Sequence, residues 1–355
     1  MRTGWWGVSL ALFGWFRSSG PEQYFAHWHA DAAVVAPDGR HVAYLEEAGT
    51  EQVEAVVIDC DHPETRVSYR LPLRVPLPGP GLGLIAWSDP ERFQVDLADR
   101  SHWLVGVADQ PQALSSGQKE VRPGLEPADA ALAAKFPART VSVTSWDQAR
   151  QRAVLWVHSG SEAGRYFLYD RPDDRLTEMG ARLPLLHWAD LAEVRTFSVP
   201  GDRPRLAVYT APRNTGDRSL PLILLCRDAE FQADALAYEP YAQSLCSAGY
   251  AVVEVNVLPG ESAAAAVSAQ VRGVDWALAS FGLDRTQVTA FGVGGALALR
   301  VAKQHPERFR SGVAIGVGSF GSEPQEGDRY YSVPTRFGRG PAAVATALAF
   351  LRHNS

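Results

Sequence analysis

Two hydrophobic rhythms meet near residue 195, and that change constrains the fold more than any other feature of the chain. Before it, short runs alternate apolar and polar residues and end at turn formers. His41-Val42-Ala43-Tyr44-Leu45 follows Pro37-Asp38-Gly39; Ala153-Val154-Leu155-Trp156-Val157 precedes Ser159-Gly160-Ser161; Tyr166-Phe167-Leu168-Tyr169 ends at Asp170-Arg171-Pro172. Strands in series with Asp, Gly and Pro turns read as an antiparallel all-β unit, propeller-like or a sandwich. The Pro/Gly-rich Pro72–Leu84 and the Ala-rich Glu126–Lys135 interrupt the series. After residue 195, Leu220–Cys226 and Tyr250–Val257 are continuous apolar runs. A strand covered on both faces has no side left for polar residues, which is the situation in a parallel sheet. Helical patterns over Tyr238–Ala248, Ser262–Phe281 and Gly295–His305 alternate with these runs, and Val288–Phe291 and Val313–Val317 read as further strands. Strand–helix alternation wound by right-handed crossovers gives an α/β sheet.

Composition narrows the function classes. Hydrophobic residues at 46% and charged residues at 21% exclude disorder on a large scale. A net charge of −6 without a basic run excludes a nucleic-acid partner held by phosphate neutralisation. Cys60, Cys226 and Cys246 are too few and too scattered for a disulfide framework or a cysteine zinc site, so buried free thiols are expected. His27 and His29 would share a strand face, with Cys60 and His62 as possible neighbours, but no H-E-x-x-H or Cys pair supports zinc. Gly292-Val293-Gly294-Gly295 lacks the G-x-G-x-x-G spacing of a dinucleotide loop and the acidic residue about 20 positions on. No metal or cofactor is therefore expected. The apolar stretch Trp5–Phe16 is shorter than the roughly 20 residues that span a bilayer. It reads either as a signal or shallow membrane anchor, or as a segment packed on the domain, and leaves open a periplasmic or membrane-associated location as well as a cytoplasmic one.

Several motifs together resemble the prolyl oligopeptidase family of serine peptidases, in its acylaminoacyl and dipeptidyl peptidase branch. Ala36-Pro37-Asp38-Gly39 and the apolar strand after it are similar to that family's propeller blade motif. Gly164–Asp170 with Leu176 and Leu183-Pro184-Leu185 is similar to its last propeller strands. Pro221–Leu225, Gly249-Tyr250-Ala251-Val252 and Asn256 resemble the opening strands of its hydrolase domain. Asp284–Val288 leads into the elbow strand, and Gly294-Gly295 opens a helix ending at His305-Pro306-Glu307-Arg308-Phe309. The resemblance implies a partial β-propeller-like domain at 21–195, after an apolar segment at 1–20. A shortened α/β-hydrolase-like domain with a mostly parallel sheet would follow at 196–355. At about 40–45 residues per blade, the β half would hold about four blades with open edges.

The departures from the family decide the expected function. Where a G-x-S-x-G-G elbow presents a serine, the chain has Phe291-Gly292-Val293-Gly294-Gly295, so the nucleophile position falls on Gly292 or Gly294 according to register. Glycine has no side chain with which to form an acyl-enzyme. The oxyanion segment His-Gly-Gly reads Arg227-Asp228-Ala229, and an aspartate there opposes the anion that the hole must stabilise. The family's Arg-Gly-Ser reads Leu258-Pro259-Gly260, and Asp328 in Glu326-Gly327-Asp328 stands where the histidine is expected. The expectation is a pseudoenzyme that binds a protein or peptide, or a second copy of itself. The alternative is an active hydrolase with a relocated nucleophile at Ser319 in Val317-Gly318-Ser319-Phe320-Gly321, although Ser322-Glu323-Pro324 opposes the helix that must follow an elbow.

Overall fold

The computed structural model describes residues 31–48, 52–62, 65–73, 83–97, 99–114, 126–183, 186, 191–201, 203–213, 215, 219–227, 238–294, 296–316, 329–333 and 341–353. Its first sheet is an antiparallel meander of β1 (Asp31–Val35), β2 (His41–Glu47), β3 (Gln52–Asp59) and β4 (Arg66–Pro72). The β1–β2 turn is the one written by Pro37-Asp38-Gly39: Gly39 takes φ +74°, and Asp38 Oδ1 accepts the Arg40 N–H at 3.0 Å. The second sheet is β5 (Gly83–Asp89), β6 (Arg92–Leu97), β7 (His102–Gly106) and β8 (Gln112–Ala113). The Ala-rich interruption forms β9 (Glu126–Pro127) and a short helix α1 (Ala130–Ala134), N-capped by Asp129. Then β10 (Thr140–Trp146), β11 (Arg152–Ser159), β12 (Glu162–Asp170) and β13 (Arg175–Ala181) make a third sheet with β9 at its edge.

These sheets do not stack in chain order. Val34, Leu45, Val53 and Leu71 on one face of the first sheet meet Ile85, Phe93 and Val95 of the second. Ala33, Val42, Tyr44 and Val56 on its opposite face meet Val154, Tyr166 and Leu168 of the third. The first sheet therefore lies between the other two. Its inner strand is tied to both: Thr144 Oγ1 donates to Ala33 O at 2.6 Å, Ser145 Oγ accepts from Val35 N at 2.7 Å, and Trp87 Nε1 donates to Val34 O at 3.2 Å. Leu132 of α1 covers the outer face of the third sheet. The described residues thus form three blade-like sheets, where spacing along the chain led to an expectation of about four. The Ala-rich interruption serves as an edge strand and a cover.

The described residues of the second half form one seven-stranded sheet. It comprises β14 (Glu193–Val199), β15 (Arg205–Ala211), β16 (Pro221–Arg227), β17 (Ala251–Val255), β18 (Asp284–Val293), β19 (Ser311–Ile315) and β20 (Tyr330–Val333), in the order β14-β15-β17-β16-β18-β19-β20. β14, β15 and β17 are antiparallel neighbours, and every pairing from β17 onward is parallel. Because β14 starts at Glu193, the division expected between residues 195 and 196 falls inside a strand of this sheet. Its exposed, alternating side chains made it look like the β half. The helices α2 (Pro240–Ser247) and α5 (Pro341–His353) cover one face, burying Ile223, Leu225, Val252, Phe291 and Val313. The helices α3 (Ala263–Ser280) and α4 (Leu297–Gln304) cover the other, over Leu222, Leu224, Val253 and Ala290. Two covered faces explain the uninterrupted apolar runs. The halves are joined by the buried amide of Gln243 in α2. Its Oε1 accepts from Ala192 N at 2.7 Å, and its Nε2 donates to Gly160 O in the β11–β12 turn at 3.2 Å.

Candidate functional site at the carboxyl edge

In an open α/β sheet, ligands and reacting groups gather beyond the carboxyl ends of the parallel strands. The turn after β18 lies at that edge. Gly292 remains within β18, opposite Cys226 of β16 and Ala314 of β19. Gly294 leaves the strand with φ +86°, its N–H donating to Ile315 O at 3.0 Å, and α4 begins three residues later. The backbone therefore makes a strand–turn–helix elbow with a left-handed residue at its apex. Of the two positions left open by the sequence, Gly292 is a paired strand residue and Gly294 is the one that leaves the strand in a left-handed conformation. Gly295 lies outside the described residues.

Arg227, at the end of β16, stands in register with Val293, one residue short of the apex. Its side chain points to the α2 face, as do Ile223 and Leu225 two and four residues before it. There it pairs with two carboxylates: Glu239, the N-cap of α2, and Glu254 of β17, whose Oε1 lies 3.2 Å from Nε. The Tyr241 ring lies 6.0 Å from the guanidinium carbon. Glu254 is only 6% exposed. Burial pushes its carboxyl up, to about 7, with Arg227 pulling it down and Glu239 pushing it further up. Arg227 is thus committed to a buried charge cluster. Asp228 and Ala229, the rest of the segment read as a degenerate oxyanion hole, lie outside the described residues.

A second ion pair fixes the loop after β17, where Leu258-Pro259-Gly260 stands. Arg205 of β15 donates to Glu261 Oε2 at 2.7 Å through Nη1, and Nη2 pairs with Glu261 Oε1. Glu261 Oε2 also accepts the Leu258 N–H at 3.2 Å, and Arg205 reaches Asn256 O at 3.3 Å. Hydrogen bonding from Arg205 holds the Glu261 carboxyl below the usual range. None of Glu239, Glu254, Arg205 and Glu261 was singled out by sequence. For Glu254 a signal existed: a lone charge within the apolar run Tyr250–Val257 demands a partner once both faces of the strand are covered.

His305 closes α4 at the end away from the elbow, with Nδ1 3.3 Å from Glu307. Ser319 and Asp328 lie outside the described residues. Arg329, next to Asp328, donates to the carbonyls of Pro306, Phe309 and Arg310 at 3.0, 2.7 and 3.0 Å, and Tyr330 pairs in register with Gly312. The chain thus enters β20 at the amino edge, opposite the elbow. His27, His29 and Trp5–Phe16 also lie outside the described residues. Cys60 is buried after β3, and the His62 N–H is accepted by Asp59 at 3.0 Å. Among the described residues no group of three or more His, Cys, Asp or Glu could hold a metal, and no helix is long and apolar enough to cross a membrane.

No family model and no curated protein matches the chain. Solved structures with distant similarity do exist. The acylaminoacyl peptidase of Pyrococcus horikoshii is 11% identical at a TM-score of 0.48, with 81% of this chain and 70% of that one covered. A puromycin-hydrolyzing peptidase of Mycobacterium tuberculosis is 15% identical at 0.43, and a putative dipeptidyl aminopeptidase IV from Bacteroides ovatus is 11% identical at 0.39. For both, 81% of this chain is covered and it spans about half of theirs, 52%. The similarity to peptidases of the prolyl oligopeptidase family is therefore distant and extends over most of the chain. A likeness this remote carries no information on activity.

Proposed function

We propose that this protein is a catalytically inactive relative of prolyl oligopeptidase-type serine peptidases that acts by binding a protein, a peptide or a second copy of itself. The observation that carries the reading is Gly294. The backbone turns there through the left-handed conformation that an elbow requires, and the residue at the apex has no side chain. Arg227, beside it, supports the same reading, because its guanidinium is already taken up by Glu239 and Glu254. The binding role rests on the β half, whose described residues form three sheets, below the four to eight blades that close a propeller, which would leave strand edges available to a partner.

The test is labelling with a fluorophosphonate serine probe alongside hydrolysis of aminoacyl anilides and acyl esters. No labelling and no turnover above buffer are expected. Stoichiometric labelling that disappears in Ser319→Ala would overturn the proposal in favour of a relocated nucleophile. Light scattering tests the binding role: a homo-oligomer, or a complex with a co-purified chain, is expected. A monodisperse monomer at micromolar concentration, with no ligand retained, would count against it.

A further inference from the structure

We propose that the Arg227–Glu239–Glu254 cluster is a proton-linked switch, which loosens the first turn of α2 when all three groups are ionised. The argument begins with a charge count. One guanidinium faces two carboxylates, so the fully ionised cluster holds a surplus negative charge in a largely dehydrated place. An uncompensated buried charge is unfavourable and is relieved by taking up a proton. Glu254 is the seat of that proton: its side chain is 8% exposed, against 22% for Glu239 at the start of α2.

Among the described residues, no other group near the cluster supplies the missing positive charge. From β16 come Arg227 and Cys226, and from α2 come Glu239, Tyr241 and Cys246. Burial raises both thiols, so neither ionises near neutrality. β15 sets Val208 opposite Glu254, β18 adds Phe291 and Val293 to the same core, and the described cation of α5, the exposed Arg352, acts on Tyr250 before the start of β17. The shift of the Glu254 carboxyl up to about 7, caused first by burial, agrees with this count.

The link to α2 is Glu239, which has two tasks. One oxygen faces Arg227 and the other accepts the Ala242 N–H at 2.7 Å, capping the helix. With Glu254 protonated, Arg227 pairs chiefly with Glu239 and fixes it as a cap. When Glu254 ionises, the two carboxylates compete for one cation and repel each other. A carboxyl raised in the folded state contributes stability that is full below the ordinary value near 4.5 and is lost as pH rises through about 7.

The experiment is urea unfolding of the full chain between pH 5 and pH 8, with amide exchange followed at Ala242. Over that range the unfolding constant of the natural protein should rise roughly tenfold or more relative to that of Glu254→Gln, and Ala242 protection should fall with it. Glu239→Gln, which leaves a balanced pair, should also flatten the slope, and it carries the test if Glu254→Gln fails to fold. A folded variant of either kind that keeps the natural slope overturns the proposal. So does Ala242 protection that, corrected for intrinsic exchange, does not change with pH.

Discussion

Two arginines, Arg205 buried and Arg227 half-buried, serve the same edge of the seven-stranded sheet and are partnered differently. Arg205 has one carboxylate, Glu261, in a two-point pair, and Arg205 Nη1 and Glu261 Oε2 each also bond the backbone, at Asn256 O and Leu258 N–H. Arg227 has two carboxylates and lies beside a turn without a side chain at its apex. The first arrangement balances its charge and fixes a loop. The second leaves a surplus negative charge beside the turn after β18. The difference teaches that this edge is maintained at Arg205 as structure, and that at Arg227 its electrostatics answer to pH.

Breaking the balanced pair should have the largest effect. Arg205→Met leaves the Glu261 side chain without its cation, with only the Leu258 N–H bonded to it, and should cost about 3 kcal/mol in urea unfolding at pH 7, since removing one member of a buried pair strands the other charge. Arg227→Met should cost less, about 2 kcal/mol at pH 8 and clearly less at pH 5. Without the guanidinium the Glu254 carboxyl rises further, and a raised carboxyl loses stabilisation as pH increases, so the cost must grow with pH. Equal costs for the two substitutions at both pH values would erase the distinction between the sites.

The contrast sharpens at the elbow. Gly294→Ser places a β-carbon on a residue at φ +86° and should destabilise by about 1–2 kcal/mol, read as a lower urea midpoint. Ester hydrolysis should stay at background, because an unassisted hydroxyl is a weak nucleophile near neutral pH. Turnover at about 1 s⁻¹, near the low end of ordinary enzymes, would reveal a working base and refute the reading of this edge.

How much of this was legible in the sequence follows from how local each feature is. β2, β11, β12, β16 and β17 sit on the runs that were read as strands, and α2, α3 and α4 agree with their expected spans to within two residues at each end. Side-chain periodicity is a local property and survives in the sequence. The placing of the third sheet on the first is not local: it depends on Thr144 and Ser145 reaching β1 across 110 or more residues. The partners of Arg227 are hidden for the same reason, since Glu239 and Glu254 come from different elements and meet only when β16 and β17 pair. The left-handed apex at Gly294, as opposed to Gly292, needed the observed end of β18, because both glycines fit the motif equally well.

The smallest effect tests whether the Arg205–Glu261 pair, and not the helix beside it, holds the loop after β17. Ser262, next to Glu261, is the N-cap of α3: its φ and ψ of −66° and 149° are extended, and its Oγ accepts the Ala265 N–H at 3.2 Å. Serine suits the position because its oxygen satisfies a first-turn donor that has no partner within the helix. Ser262→Ala removes that acceptor at an exposed site where water can replace it, so the expected loss is about 0.5–1 kcal/mol, independent of pH between 5 and 8. Glu261 keeps both contacts to Arg205 and its bond from Leu258 in this variant, so the Leu258 amide should remain as protected as in the natural protein. In Arg205→Met the order should reverse, with Leu258 exchanging fast and the Ala265 amide largely unaffected. Should Ser262→Ala release Leu258 as fully as Arg205→Met does, the helix cap would be the anchor of this loop, and the buried pair would merely accompany it.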